Sequence, residues 1–106
     1  MSVAPLGLII PNWPAPSWVR AGSTTRSGGI SNGVFASLNL GDHVGDNPAL
    51  VAENRALLQK LANLPAEPVW LQQVHGTDVL QLSTWQGHVV AADASMSQQA
   101  GQVCLV

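Results

Sequence analysis

Only one stretch of this chain has the length and periodicity of a stable helix, and it limits what the rest can be. Across Pro48–Asn63, residues Leu50, Val51, Asn54, Leu57, Leu58 and Leu61 share one stripe. Glu53, Arg55, Gln59 and Lys60 point elsewhere, so the pattern predicts an amphipathic helix with a buried face. Asn47 suits the N-cap and Pro48 the first helical position, where no amide donor is needed. Leu64-Pro65 ends the helix, because the residue before a proline is pushed out of the α region. Nothing on this helix carries chemistry, so it reads as scaffold. Truncating Leu57 to alanine is expected to cost about 2–5 kcal/mol if that position is core.

Around the helix the chain reads as short strands and loops. Leu6–Ile10 and Val19–Ser23 form a plausible antiparallel pair, separated by a proline-rich segment that excludes regular structure. Val69–Val74 is rich in β-branched and aromatic residues and reads as a strand. His75-Gly76-Thr77-Asp78 is turn material, and Val79–Leu82 resumes an extended pattern. The expected unit is strand-turn-strand, in a sheet on which the helix packs. Val89–Asp93 and Gln102–Val106 read as further strands, with Asp93–Gln99 a loop between them. The fold class is therefore α+β, with a mixed β-sheet flanked by helices.

Three loops hold residues able to do chemistry. Thr24–Gly33 places Arg26 beside glycines and hydroxyls, as anion-binding loops do, but lacks the spacing of a P-loop or a dinucleotide fingerprint. It reads equally as a connector. Gly41–Asp46 contains Asp42, His43 and Asp46, which suit a metal or substrate as well as a turn before a helix cap. His75 stands at the mouth of the strand-turn-strand unit, where an imidazole serves for metal ligation or proton transfer, or is an ordinary loop histidine.

Composition narrows the classes. Charged residues are 9% of the 106 and apolar ones 46%, against the roughly 25% charged of ordinary soluble domains. Such a chain is expected to bury part of its surface against another chain, a second copy or further sequence. Net charge is −2, and Arg20, Arg26, Arg55 and Lys60 are scattered, so no nucleic-acid partner is expected. No run is long and apolar enough for a membrane span. Cys104 is the only cysteine, which excludes a disulfide framework and suits the cytoplasm.

Three blocks occur in order: Thr24-Thr25-Arg26-Ser27-Gly28-Gly29, then Ser37-Leu38-Asn39-Leu40-Gly41-Asp42-His43-Val44-Gly45-Asp46, then Trp70-Leu71-Gln72-Gln73-Val74-His75-Gly76-Thr77. Together with Ala92-Asp93-Ala94 and Gly101-Gln102-Val103-Cys104, they resemble the laccase-domain family, the multicopper polyphenol oxidase-like or YfiH-type proteins. The resemblance runs from about Pro11 to the end. It implies an α+β fold and a zinc-dependent purine nucleoside phosphorylase acting on adenosine, inosine, guanosine and methylthioadenosine, with adenosine deaminase activity. A copper-dependent phenol oxidase and a non-enzymatic partner-binding fragment are the alternatives.

Of the family's three zinc ligands, only the histidine of the Gln-Val-His-Gly motif falls here, and it is His75. The Thr-Ala-Asp-Cys cysteine and the histidine before Ala-Gly-Trp-Arg-Gly fall beyond Val106. The resemblance thus makes residues 1–106 the N-terminal portion of a single, truncated YfiH-like domain. Arg26 becomes the candidate for phosphate or ribose, since its planar fork suits oxyanions. Asn39 and His43 become candidates for the pocket wall, although a buried structural amide fits Asn39 as well. The expected partners are purine nucleosides and phosphate, with a homo-oligomer or the missing C-terminal half possible. Residues 1–106 alone are expected to be inactive and to bind zinc weakly.

Overall fold

The computed structural model describes residues 6–106. The chain divides into two compact units, the first ending at Ala62 and the second beginning at Asn63.

In the first unit the expected antiparallel pairing is reduced to one bridge, in which Ile9 and Ser23 exchange backbone hydrogen bonds of 2.8 and 2.9 Å. A long loop with one 3-10 turn, Gly33–Phe35, leads into helix α1, Pro48–Leu61. The cap forms as expected, with Asn47 Oδ1 accepting the Ala49 N–H at 2.9 Å and Pro48 occupying the first turn. Arg20 donates to the Ala62 carbonyl at the other end, placing a cation where helix carbonyls are unpaired.

The buried face of α1 is rotated from the expected stripe. Val51, Asn54 and Leu58 are buried, whereas Leu50 and Leu57 are half-buried and Leu61 is 43% exposed. At about 100° per residue, Leu50, Leu57 and Leu61 all fall on one flank of that face. A polar residue, Asn54, stands between that flank and the apolar pair Val51 and Leu58, and its hydrogen bonds fix which side turns inward. Leu57 is therefore a flank position, and Leu58 is the leucine of the core.

In the second unit four short strands form two parallel pairs. Strand β1, Leu71–Gln72, pairs with β3, Val90–Ala91; strand β2, Val79–Gln81, pairs with β4, Ala94–Met96. The expected strand-turn-strand unit is corrected by this register. β1 and β2 do not pair with each other, and both run in the direction of the 90–96 segment. Residues 73–78 make an excursion from one direction of travel, with only Ala92 and Asp93 opposite them. Parallel pairing needs a crossover rather than a tight turn; here it passes through a 3-10 turn at Leu82–Thr84. Asp93–Gln99, expected as loop, contributes β4, because Ala94 N–H and Asp93 N–H both reach the Asp78 carbonyl and start the pairing. Gln102–Val106, expected as a strand, makes none among the described residues. It has no partner strand to supply the ladder that defines one. The chain thus mixes helix and strand as α+β requires, with shorter strands than its β-rich segments suggest.

No helix among the described residues is long and apolar enough to cross a membrane.

Candidate functional site

The first unit builds a loop cradle around Arg26. Asn54, with no exposed surface, accepts the Ile30 N–H on Oδ1 at 2.8 Å and donates through Nδ2 to Ser31 Oγ at 2.8 Å and to the Asn39 carbonyl at 2.9 Å. Ser31 Oγ passes the chain on to Asp46 Oδ2 at 2.6 Å. Asn39 Nδ2 reaches the same oxygen at 3.2 Å. Every polar atom of the Asn54 amide is thus engaged, as a buried amide requires. The Ser31 hydroxyl above all, with the Asn39 and Asn47 amides adding, holds the Asp46 carboxyl below its ordinary pKa against the opposing effect of desolvation. Gly29 sits where a Cβ would come 2.6 Å from both Asn54 Oδ1 and Leu38 Cα, so the close approach of loop to helix requires glycine.

The loop folds back on itself at Arg26. Its carbonyl accepts both Ser37 N–H and Leu38 N–H, at 2.8 and 2.9 Å, and the Ser37 hydroxyl at 2.9 Å. Its Nε donates to the Ala36 carbonyl at 3.0 Å. That single side-chain bond aims the guanidinium and leaves both terminal nitrogens without a protein acceptor among the described residues. Arg26 lines an open cavity of about 300 Å³ with Val34, Phe35, Ala36, Leu38 and Asn39.

The expected site residues separate accordingly. Arg26 and Asn39 line one cavity. Asn39 is at the same time a structural amide, since its side chain brackets Gly41, accepting the N–H at 3.1 Å and donating to the carbonyl at 3.2 Å. His43 is exposed, with Nδ1 4.0 Å from Asp42 Oδ1, and is not part of the cavity lining. Arg55 grips the Leu40 carbonyl through Nε and Nη2, at 3.0 and 2.8 Å, and so fixes the stretch between Asn39 and His43.

His75 belongs to the second unit. It is exposed and holds φ = 56°, a left-handed conformation uncommon for any residue but glycine. Asp93 accepts the amide on each side of it, Val74 N–H on Oδ1 at 3.1 Å and Gly76 N–H on Oδ2 at 2.8 Å. An exposed imidazole on a fixed turn suits one ligand of a zinc site. The described residues contain no group of three or more His, Cys, Asp or Glu placed to hold a metal, so they do not form a complete three-ligand site by themselves.

Sequence reasoning passed over Asn54 and Asp93. The available signal for Asn54 was a polar residue on an apolar stripe. Asp93 stood in the Ala92-Asp93-Ala94 segment of the resemblance with no role attached, because its role depends on register.

A chain that carries one helix in its first unit and short parallel strands in its second, and presents its polar side chains on loops, is an α+β protein of the laccase-like kind. Residues 20–106 match the family described as multi-copper polyphenol oxidoreductase laccase, and the chain belongs to it. It is 54% identical over 99 residues to the purine nucleoside phosphorylase YfiH of Escherichia coli, a match covering 93% of this chain and 41% of that protein. It is 48% identical over 98 residues to a purine nucleoside phosphorylase of Pseudomonas aeruginosa, covering 92% of this chain and 39% of that one. The crystal structure of Neisseria meningitidis NMB0706, of the DUF152 family, superposes with a TM-score of 0.81 at 41% identity, over 90% of this chain and 38% of that one. YlmD from Geobacillus stearothermophilus gives 0.64 at 36% identity, over 83% and 37%. The chain spans about two fifths of the length of the curated relatives it matches.

Proposed function

We propose that this chain supplies the phosphate-side loop and one metal ligand of a zinc-dependent purine nucleoside phosphorylase. The observation that carries the proposal is Arg26. Its guanidinium is held by one bond from Nε to Ala36 O, its terminal nitrogens have no protein acceptor among the described residues, and the residue lines an open cavity. A planar fork with free N–H groups is the protein group best matched to a phosphate oxyanion. The names of the relatives support the same reading.

Phosphorolysis of a nucleoside builds positive charge on the ribose while phosphate attacks C1′ and the purine departs, as in glycoside cleavage generally. Arg26 would bind phosphate and fix its approach. Val34 and Phe35 give the cavity an apolar side suited to a flat base or a sugar face. Asn39 keeps the wall in place through Gly41 and Asp46. His43 would serve at the rim. His75 would hold zinc together with ligands from outside the described residues. Bound zinc polarises a substrate atom or activates a water, which would also account for an adenosine deaminase activity. Adenosine, inosine, guanosine and methylthioadenosine are the proposed substrates. The cytoplasm suits the one thiol, Cys104.

The family's description favours a second reading, oxidation of phenols at copper. Both are tested by assaying the purified protein for phosphate-dependent release of hypoxanthine from inosine and for phenol oxidation, with zinc and copper measured by elemental analysis. The proposal expects phosphorolysis and zinc in step. Phenol oxidation that tracks copper, without phosphorolysis, overturns it.

A further inference from the structure

The three-residue segment Ala92-Asp93-Ala94 closes the mouth of the 73–78 excursion. Ala92 N–H donates to the Gln72 carbonyl at 3.1 Å, on the near side of the loop. Asp93 N–H and Ala94 N–H donate to the Asp78 carbonyl at 2.9 and 3.3 Å, on the far side. The backbone of Asp93 is thus pinned between the two ends of the loop, and its half-buried side chain reaches inward. There its two oxygens take the amides of Val74 and Gly76, one each. The residue between those amides is His75, at φ = 56°.

We propose that Asp93 is a positioning residue for His75, fixing the turn so that the imidazole is presented in one orientation. The proposal rests on the reading of His75 as a metal ligand. The chemistry is specific to aspartate. Two converging N–H donors need two acceptors on one short rigid group, and a carboxylate supplies both with charge-assisted bonds. Asparagine offers one acceptor and turns an NH2 toward the other amide. Glutamate carries its oxygens one methylene too far. Gly76 completes the fit, because a Cβ there would stand 3.2 Å from Asp93 Oδ2 and push that oxygen by a few tenths of an ångström from its place on the amide. The left-handed backbone at His75 is otherwise unfavourable for a residue with a Cβ and persists where its surroundings hold it. Without the carboxylate the turn relaxes toward extended conformations, and the imidazole samples several directions. Removing the partners that orient a metal-binding histidine typically weakens metal binding.

The test uses Asp93→Asn and Gly76→Ala with two readouts on the whole protein. The first is hydrogen exchange of the Val74 and Gly76 amides, with the Ile9 and Ser23 amides as internal references. Exchange at 74 and 76 is expected to quicken in both variants, with the references unchanged. The second is a Zn²⁺ titration followed at the His75 ring resonances, where both variants are expected to bind about 10–100-fold more weakly and His75→Ala to lose that binding. Asp93→Glu should not restore either readout. Unchanged exchange at 74 and 76 overturns the positioning role, whatever zinc does. Faster exchange with unaltered Zn²⁺ affinity, where His75→Ala does abolish binding, makes Asp93 merely structural and also overturns it. Faster exchange with Zn²⁺ binding indifferent to His75→Ala overturns the metal reading of His75, and with it the purpose assigned to Asp93.

Discussion

Two loops in this molecule are held by the same device in opposite surroundings. In the first unit, Asn54 gathers Ile30, Ser31 and Asn39 around one fully buried amide. In the second, Asp93 gathers Val74 and Gly76 around one half-buried carboxylate through bonds exposed to water. Water can replace the exposed bonds of the second hub, whereas those of the first are buried or part-buried. A short polar side chain that organises a loop is therefore a stability determinant when buried, and a determinant of local order when exposed.

The sharpest way to break this comparison is to remove each hub. Asn54→Leu deletes both acceptor and donors and leaves the part-buried Ile30 N–H and Asn39 carbonyl, and the buried Ser31 hydroxyl, without their amide partner. Each buried orphan costs about 1–3 kcal/mol, so the loss should reach about 3 kcal/mol or more. Asp93→Asn, its partners in contact with water, should shift global stability by no more than about 1.5 kcal/mol. Denaturant midpoints at unchanged slope decide the matter. Equal losses for the two variants would erase the distinction.

A second test sharpens the rotated face of α1. Leu58→Ala should cost about 2–5 kcal/mol, as core leucines do. Leu61→Ala, at a position 43% exposed, should stay within about 1 kcal/mol. The reverse order would restore the stripe expected from periodicity alone.

What the sequence made legible follows from the range over which each feature is determined. The Asn47 cap and the Pro48 start of α1 are local, and they appear as read, while the helix ends at Leu61, two residues short of the expected Asn63. The grouping of Arg26 with Asn39 was also legible, because both stand in motif blocks of one long loop. The pairing of β1 with β3 and β2 with β4 was not. The residues of Val69–Leu82 look the same whether the chain reverses at His75 or bulges outward there. Only the partner segment, Val90–Met96, distinguishes the two, and that is long-range information. For the same reason Asp93 read as the end of a strand running into a loop, although it sits at the step between two strand pairs. Periodicity found the helix but not its exact face, since the hydrogen bonds of a polar residue, Asn54, set which side turns inward. His43 was grouped with Arg26 by motif order, while the cavity takes its wall from Leu38 and Asn39 and leaves His43 outside.

Asp46 gives a smaller effect with a definite sign. Its carboxyl pKa is lowered on folding, first by the Ser31 hydroxyl and then by the Asn39 and Asn47 amides. A group depressed in the folded state binds more protons when unfolded. Its contribution is therefore fully present above the ordinary carboxylate pKa of about 3.9 and is lost as pH falls through the lower folded value. Asp46→Asn should flatten the acid side of the stability profile, read as the urea midpoint from about pH 5 downward. An acid limb equally steep in the variant would show that other carboxylates set it.

The smallest expected change in stability, and the most informative about chemistry, is at Arg26. Its side chain contributes one bond, to Ala36 O, at an exposed position. Arg26→Ala should therefore move the denaturation midpoint by no more than the equivalent of about 1 kcal/mol. The loop has its own supports, since the Arg26 carbonyl, Ser37 and Asn54 hold it without the guanidinium. An intact cradle that has lost its fork is what separates binding from scaffolding. In the active enzyme the variant should show a raised KM for phosphate with zinc content unchanged. Arg26→Lys should recover only part of the loss, because an ammonium restores the charge without the paired, planar donors. Unaltered phosphate kinetics in Arg26→Ala would leave the arginine a loop-closing residue. The two hubs would then differ in solvent exposure alone, with no oxyanion site attached to the buried one.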